Sequence, residues 1–186
     1  MMDGRNVNWR ALFDALHPGF FERPSIRRIP AGRTYEEMAL WLADYSPDAV
    51  NIPVPEGVTF GCWTGDIGAL RRQVARVDGT WPELFREDTR VYCACDGGML
   101  ASFCMLEDMG EYNGLRVAGP GCVGTLPEYR RRGIGLKMVQ NATAILKAEG
   151  YDLGYIHYTG VAPWYARLGY GTVLRWNGEG ITEQKK

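Results

Sequence analysis

Gly121-Cys-Val-Gly-Thr-Leu-Pro-Glu-Tyr-Arg-Arg-Arg-Gly-Ile-Gly135 decides the fold, together with Leu136-Lys-Met-Val-Gln-Asn-Ala-Thr-Ala-Ile-Leu-Lys-Ala148 behind it. The stretch opens apolar, breaks at Pro127 and crosses a basic, glycine-spaced turn from Arg130 to Gly135. Apolar residues then recur at helical intervals: Met138, Val139, Ala142, Ile145 and Leu146. The pattern reads as strand, turn, helix. The first turn of a helix carries four backbone N–H groups without intrahelical partners and the positive end of the macrodipole. Glycines at 133 and 135 let a ligand approach that backbone closely, as a pyrophosphate requires. Arg130, Arg131 and Arg132 add charge-assisted bonds to phosphate. G-x-x-x-x-G-K-[ST] does not occur, which excludes a P-loop, and the G-x-G-x-x-G spacing at Gly119, Gly121 and Gly124 falls within a strand and does not open a helix, so it is not a dinucleotide fingerprint.

What does occur is Arg130-x-x-Gly133-x-Gly135, between a strand and a helix. In this the chain resembles the GNAT superfamily of acyl-coenzyme A N-acyltransferases, whose pyrophosphate loop reads Arg/Gln-x-x-Gly-x-Gly/Ala. Trp164-Tyr-Ala-Arg-Leu-Gly-Tyr170 is similar to a second family segment, Φ-Tyr-x-x-Leu-Gly-Phe/Tyr, and one helix and one strand separate the two, as in the family. The resemblance implies an α/β (α+β) GNAT fold. Its central sheet is mixed but mostly antiparallel and flanked by helices, and a splayed strand pair holds acyl-coenzyme A. It implies cofactor contacts at Val123, Gly124, Thr125, Arg130, Arg131, Arg132, Gly133, Ile134, Gly135 and Leu136, with the backbone of Val123 and Thr125 pairing with the pantetheine arm. It also implies that Tyr165 sits beside the coenzyme A sulfur as general acid. A tetrahedral intermediate expels a thiolate of pKa ~8.5, and a positioned phenol of pKa ~10 can protonate it.

The general base is open. In several family members a carboxylate on the bulged strand takes the proton of the amine. Here that strand offers Gly119, Pro120, Gly121 and Cys122. Candidates elsewhere are Glu107, Asp108, Glu111 and His157, with water or bulk solvent as the alternative. His157 titrates in a useful range, yet between Tyr155 and Tyr158 it also reads as a hydrogen-bonded core residue. Glu107-Asp-Met-Gly-Glu111 reads as a solvated acidic loop. It would also attract a cationic amine, such as a polyamine, an aminoglycoside or a peptide N-terminus.

Outward from the loop, residues 57–186 read as the GNAT domain and residues 1–56 as an N-terminal extension. The aromatics Phe20, Phe21, Tyr35 and Trp41 make the extension a candidate lid or homodimer element. Within it, Trp9 to Leu16 reads as a short helix, and Thr34 to Glu37 as a capping box opening a helix with Tyr35, Met38, Leu42 and Tyr45 on one stripe. In the domain, Val58–Trp63, Arg90–Cys95, Met99–Leu106, Leu115–Leu126, Tyr151–Tyr158 and Tyr170–Trp176 read as strands. Asp66 caps a helix that Gly79 stops, and Thr80 to Glu83 reads as a second capping box opening a short helix over Trp81 to Arg86. Asp96-Gly97-Gly98 is a hairpin turn, and a short helix surrounds Pro163. Gly119-Pro120-Gly121 means either a strand that starts late, at Cys122, or a bulge within it.

The chain has 186 residues, 46% of them hydrophobic, and a formal net charge of −1. This suits one domain with an extension and gives no electrostatic footprint for nucleic acid. No apolar run reaches the ~20 residues of a membrane span, and the polar start is unlike a signal peptide, so a cytoplasmic protein is expected. The five cysteines are odd in number, and Cys93-x-Cys95 lacks zinc spacing, so no metal site is indicated. The function expected is acetyl transfer from acetyl-coenzyme A to a primary amine of a small molecule or peptide, by direct attack. The alternatives are a non-catalytic module that senses acyl-coenzyme A and, more remotely, an unrelated phosphate-binding α/β protein.

Overall fold

The computed structural model describes residues 6–185; the polar start at residues 1–5 lies outside them. Eight strands form one sheet: β1 (Tyr35–Trp41), β2 (Val58–Cys62), β3 (Val91–Asp96), β4 (Met99–Tyr112), β5 (Leu115–Thr125), β6 (Leu153–Thr159), β7 (Gly171–Asn177) and β8 (Gly180–Gln184). Their order across the sheet is β2-β3-β4-β5-β6-β1-β7-β8. Every neighbouring pair is antiparallel except β5–β6. The helices are α1 (Trp9–Leu16), α2 (Pro24–Arg27), α3 (Ile67–Val74), α4 (Ile134–Ala148) and α5 (Ala162–Ala166). Short 3-10 turns join them.

Helix α4 packs on one face with Met138, Val139, Ala142 and Leu146, against Leu106 and Ala118 of the sheet. Helix α1 covers the other face with Leu12 and Phe13, against Val117, Leu153, Tyr155 and Trp176. Asn8 caps α1 by accepting from the Ala11 amide at 3.0 Å, and Asp66 caps α3 through the Ala69 amide at 2.6 Å.

Three expectations from sequence are overturned. Residues 35–41, expected in a helix, form β1, an inner strand hydrogen-bonded to β6 on one side and β7 on the other. The sheet therefore runs across the expected boundary at residue 57. The supposed helical stripe divides instead with strand alternation: Tyr35, Ala39 and Trp41 join the α1 face, Met38 and Leu40 the α4 face. Tertiary pairing overrides local capping chemistry here. Residues 107–111, expected in a loop, continue β4, because Asn113 and Gly114 (φ 50° and 79°) form the tight turn that carries the β4–β5 hairpin past them. The box at Thr80 also fails: its hydroxyl and amide both bond Asp78, and only Pro82–Leu84 is helical, as a single 3-10 turn.

The parallel pair β5–β6 opens early. It is registered only at Val117–Leu153 and Ala118–Gly154, after which the strands separate. Strand β5 carries a bulge against β4: Phe103 faces Gly124 but Met105 faces Gly121, so one extra residue sits on β5. Cys122 takes it up at φ 45°. The strand begins at Leu115, so the bulged alternative holds and the late start does not. Gly119 stands where the two strands part, and a Cβ there would collide with the carbonyl oxygen of Tyr155.

Candidate active site

The split opens onto a cleft of about 880 Å³. Val123 and Thr125 at the end of β5, the turn from Tyr129 to Gly133, and Ile134 to Leu136 at the start of α4 form one wall. Ile52, Pro53, Val161, Trp164, Tyr165 and Arg167 form the other. Gly133 is the N-cap of α4 in the left-handed region (φ 78°), and no side chain caps the helix, so its first-turn amides are left for a ligand. A Cβ on Gly133 would lie 2.5 Å from the Pro53 carbonyl oxygen, so the two walls meet too closely for a side chain.

Arg130, Arg131 and Arg132 are exposed along the turn. Arg130 donates through Nε to the Thr125 carbonyl at 3.1 Å, and Arg132 lies over the Tyr129 ring at 5.5 Å. The first contact fixes the turn to the strand end. It also occupies an acceptor that the resemblance assigned to pantetheine. Gly124 does not line the cleft; its carbonyl accepts from Ser102 Oγ at 2.7 Å.

Tyr165, in α5, is buried, with the Trp164 ring edge-on at 4.8 Å and the Tyr170 ring at 6.3 Å. Burial pushes its phenol well above the ordinary value, with Cys104, Tyr170 and Cys122 adding smaller shifts in the same direction. It stays protonated across any physiological range, the state a proton donor needs.

The α1 face of the split holds a second polar group. Glu37, on β1, is fully buried, and no lysine or arginine pairs with it among the described residues. It accepts from Trp176 Nε1 at 2.8 Å and from the Tyr158 amide at 3.1 Å. Its other partner is His157 on β6, whose Nδ1 lies 2.9 and 3.1 Å from the two carboxylate oxygens. His17, which ends α1, stacks on His157 with ring centroids 3.8 Å apart and planes 19° apart. Burial lowers His17 to about 3, with His157 and Arg23 adding to the shift. Among the described residues the buried Nε2 of His17 has no hydrogen-bond partner, and the buried hydroxyl of Tyr155 makes no well-formed bond although it lies near enough to Glu37 for the carboxylate to raise its pKa further above what burial alone does.

Of the three acidic residues singled out on β4, only Glu107 belongs to this site. It faces Gly119 across the pair, its carboxylate reaches over Gly121, and it interacts electrostatically with His157. Solvent reaches Glu107, yet the surrounding walls raise its carboxyl pKa by desolvation, an effect His157 partly offsets. Asp108, the next residue along, faces the other way and accepts from the Gly110 amide at 2.8 Å. Glu111 is paired with Arg116 near the hairpin end.

His17, Glu37 and His157 offer three donor atoms within 4.8 Å of one another. A metal ion must lie in the plane of each imidazole that ligates it, about 2.0–2.1 Å from nitrogen. The nearly parallel stacked rings do not converge on one point.

The family model described as "Acetyltransferase (GNAT) domain" matches residues 87–172. That part of the chain is similar to a GNAT domain. GNAT domains act in acyl transfer from acyl-coenzyme A to amines. Among solved structures, the chain is similar to the glucosamine N-acetyltransferase region of a fungal multi-domain GH3 β-N-acetylglucosaminidase. The TM-score is 0.62 at 19% identity, covering 80% of this chain and 21% of that one. A GCN5-related N-acetyltransferase from Kribbella flavida aligns with TM-score 0.56 and 21% identity over 83% of this chain and 60% of that one. One from Sphaerobacter thermophilus gives 0.58 and 22%, over 78% and 50%. The chain thus spans at most three-fifths of these three proteins, and the likeness shows the fold. A sequence comparison with curated proteins finds no match.

Proposed function

We propose that this protein is an N-acyltransferase that moves an acetyl group from acetyl-coenzyme A to a primary amine, by direct attack and without a covalent enzyme intermediate. The observation that carries the reading is the early parting of β5 and β6. It leads into a cleft whose floor is the uncapped, glycine-started N-terminus of α4 and whose rim carries four arginines. In this reading the pyrophosphate lies on the first-turn amides with Arg131 and Arg132 beside it, and the pantetheine arm enters between the strands. The thioester then lies near Tyr165. The amine attacks the carbonyl carbon, the C–S bond breaks, and the Tyr165 phenol gives its proton to the departing sulfur. Glu107, accessible on the α1 side, favours a cationic acceptor at the mouth of the split.

The test is thermal unfolding with acetyl-coenzyme A and with ADP, followed by thiol release against a panel of primary amines. Ligand at ~100 times Kd stabilises by about 2.7 kcal/mol, or roughly 5–10 °C for a chain of this length. That shift with acetyl-coenzyme A, a much smaller one with ADP, and turnover with an amine support the reading. A shift without turnover on any amine points instead to a sensor of acyl-coenzyme A, and no shift with either ligand removes the cofactor assignment.

A further inference from the structure

The carboxylate of Glu37 has no lysine or arginine partner among the described residues. It is fully buried, the Trp176 indole and the Tyr158 amide that donate to it are neutral, the nearby Tyr155 phenol is held protonated, and among the described residues the base that shares a proton with it is His157 Nδ1. A buried carboxylate with no cation nearby is expensive unless donors surround it. The arrangement therefore favours a proton on Nδ1 of His157, shared with Glu37. Among the described residues nothing bonds the Nε2 of His157, which is left as a lone pair in the neutral ring. The residue lies three positions beyond the last β5–β6 pair, on the same face as Glu107, and is partly open to solvent.

We propose that Glu37 and His157 form the proton-accepting dyad of the acceptor site. Glu37 holds the Nδ1–H of His157, and Nε2 takes the proton that the acceptor amine loses. As the amine nitrogen bonds to the thioester carbon, its N–H bond breaks and the pair of electrons stays on nitrogen. The proton moves to Nε2, giving an imidazolium that Glu37 neutralises and that later returns its proton to solvent. The inference rests on the acyl-transfer reading and adds the group that completes it.

His17 is a positioning residue in this scheme. Stacked on His157 and too buried to take a proton in the working range, it fixes the ring plane without adding a second charge. The other ionisable groups around His157 are Glu107 on β4, Arg23 beyond α1, Tyr155 and Tyr158 on β6, and Tyr35 on β1.

Two measurements on the full chain decide the matter. The first needs no substrate: long-range nitrogen-15 NMR of the histidine rings against pH. The proposal expects neutral His157 with its proton on Nδ1, and in Glu37→Gln a lower pKa with that tautomer preference reduced. A neutral His157 protonated on Nε2, or a pKa indifferent to Glu37→Gln, overturns it. The second measurement is kcat/KM against pH with the amine found in the panel. The wild type should gain activity as His157 loses its proton. His157→Gln should lose that limb and fall about 10²–10³-fold, while acetyl-coenzyme A still raises its Tm by the wild-type increment. An unchanged limb in His157→Gln overturns the dyad and leaves the cofactor reading standing. Loss of the Tm shift in the wild type would remove the cofactor reading while the NMR still tests the dyad. If Glu37→Gln does not fold, His157→Gln carries the test. Zinc retained at one equivalent through gel filtration, and lost in His17→Ala, also overturns it.

Discussion

On one side of the β5–β6 split, the polar groups are mostly backbone amides and arginines from one contiguous run, residues 123–136, joined by Tyr165 and Arg167. On the other they are Glu37, Glu107, His157 and Trp176, brought together from four strands, with His17 added from a helix end. The first side is open, built on backbone conformation and rich in charge. The second is more enclosed and built on side chains, with one buried carboxylate at its centre. A site made from backbone leaves its mark in a short sequence window, because glycine spacing and helix onset are local. A site made from distant side chains leaves none.

The contrast can be broken most directly at Glu37. Glu37→Ala leaves the Trp176, Tyr158 and His157 donors unpartnered and should destabilise the fold by about 3–5 kcal/mol, roughly 6–20 °C in Tm. The increment that acetyl-coenzyme A adds should be unchanged, since the cleft wall is elsewhere. A loss of that increment in calorimetry would show that the two sides are one unit.

Gly133→Val strikes the backbone-made side. It forces a β-branched residue to φ 78° and against the Pro53 carbonyl. The acetyl-coenzyme A increment should fall from about 2.7 kcal/mol to under ~0.5 kcal/mol, as a thermal shift would record. Tyr165→Phe should lower kcat about 10²-fold with KM nearly constant, and steady-state kinetics on the identified amine would test it. A rise in KM alone would make Tyr165 a binding residue.

Arg132→Ala removes one candidate phosphate contact and should weaken acetyl-coenzyme A about 10-fold, with the difference shrinking as salt rises. Titration calorimetry at two ionic strengths measures both. At the small end, Arg10→Ala breaks an exposed pair to Asp14 within α1. It should change stability by less than ~0.5 kcal/mol, as chemical denaturation would show.

How much could be read in advance follows the same division. The strand–turn–helix from Cys122 to Ala148, the hairpin at Gly97-Gly98 and the strands at Tyr151–Tyr158 and Tyr170–Trp176 are present as continuous patterns, and the structure places them there, while β8 beyond them was not expected. Strand β1 was hidden because Thr34-Tyr-Glu-Glu37 has the chemistry of a helix start, and a glutamate rarely signals a core position. Only Trp176 and His157, more than a hundred residues away, explain why Glu37 is inside. The continuation of β4 through Glu107 was legible in principle. Asn113-Gly114 is a strong two-residue turn signal, and it places Glu107 opposite Gly119 rather than in a loop.

The position of β1 bears on how the chain reaches this state. Its pairing partners on β6 and β7 lie well over a hundred residues downstream, and the contacts of Glu37 span 120, 121 and 139 residues. Closing loops of that length is slow, and contacts of high sequence separation form late. During synthesis residues 35–41 emerge early and must wait, as a partnerless strand with an acidic residue at its middle, until β6 at residues 153–159 has left the ribosome. The charge of Glu37 discourages that waiting strand from pairing with another chain. The carboxylate at the heart of the closed side is thus also a safeguard during the chain's assembly.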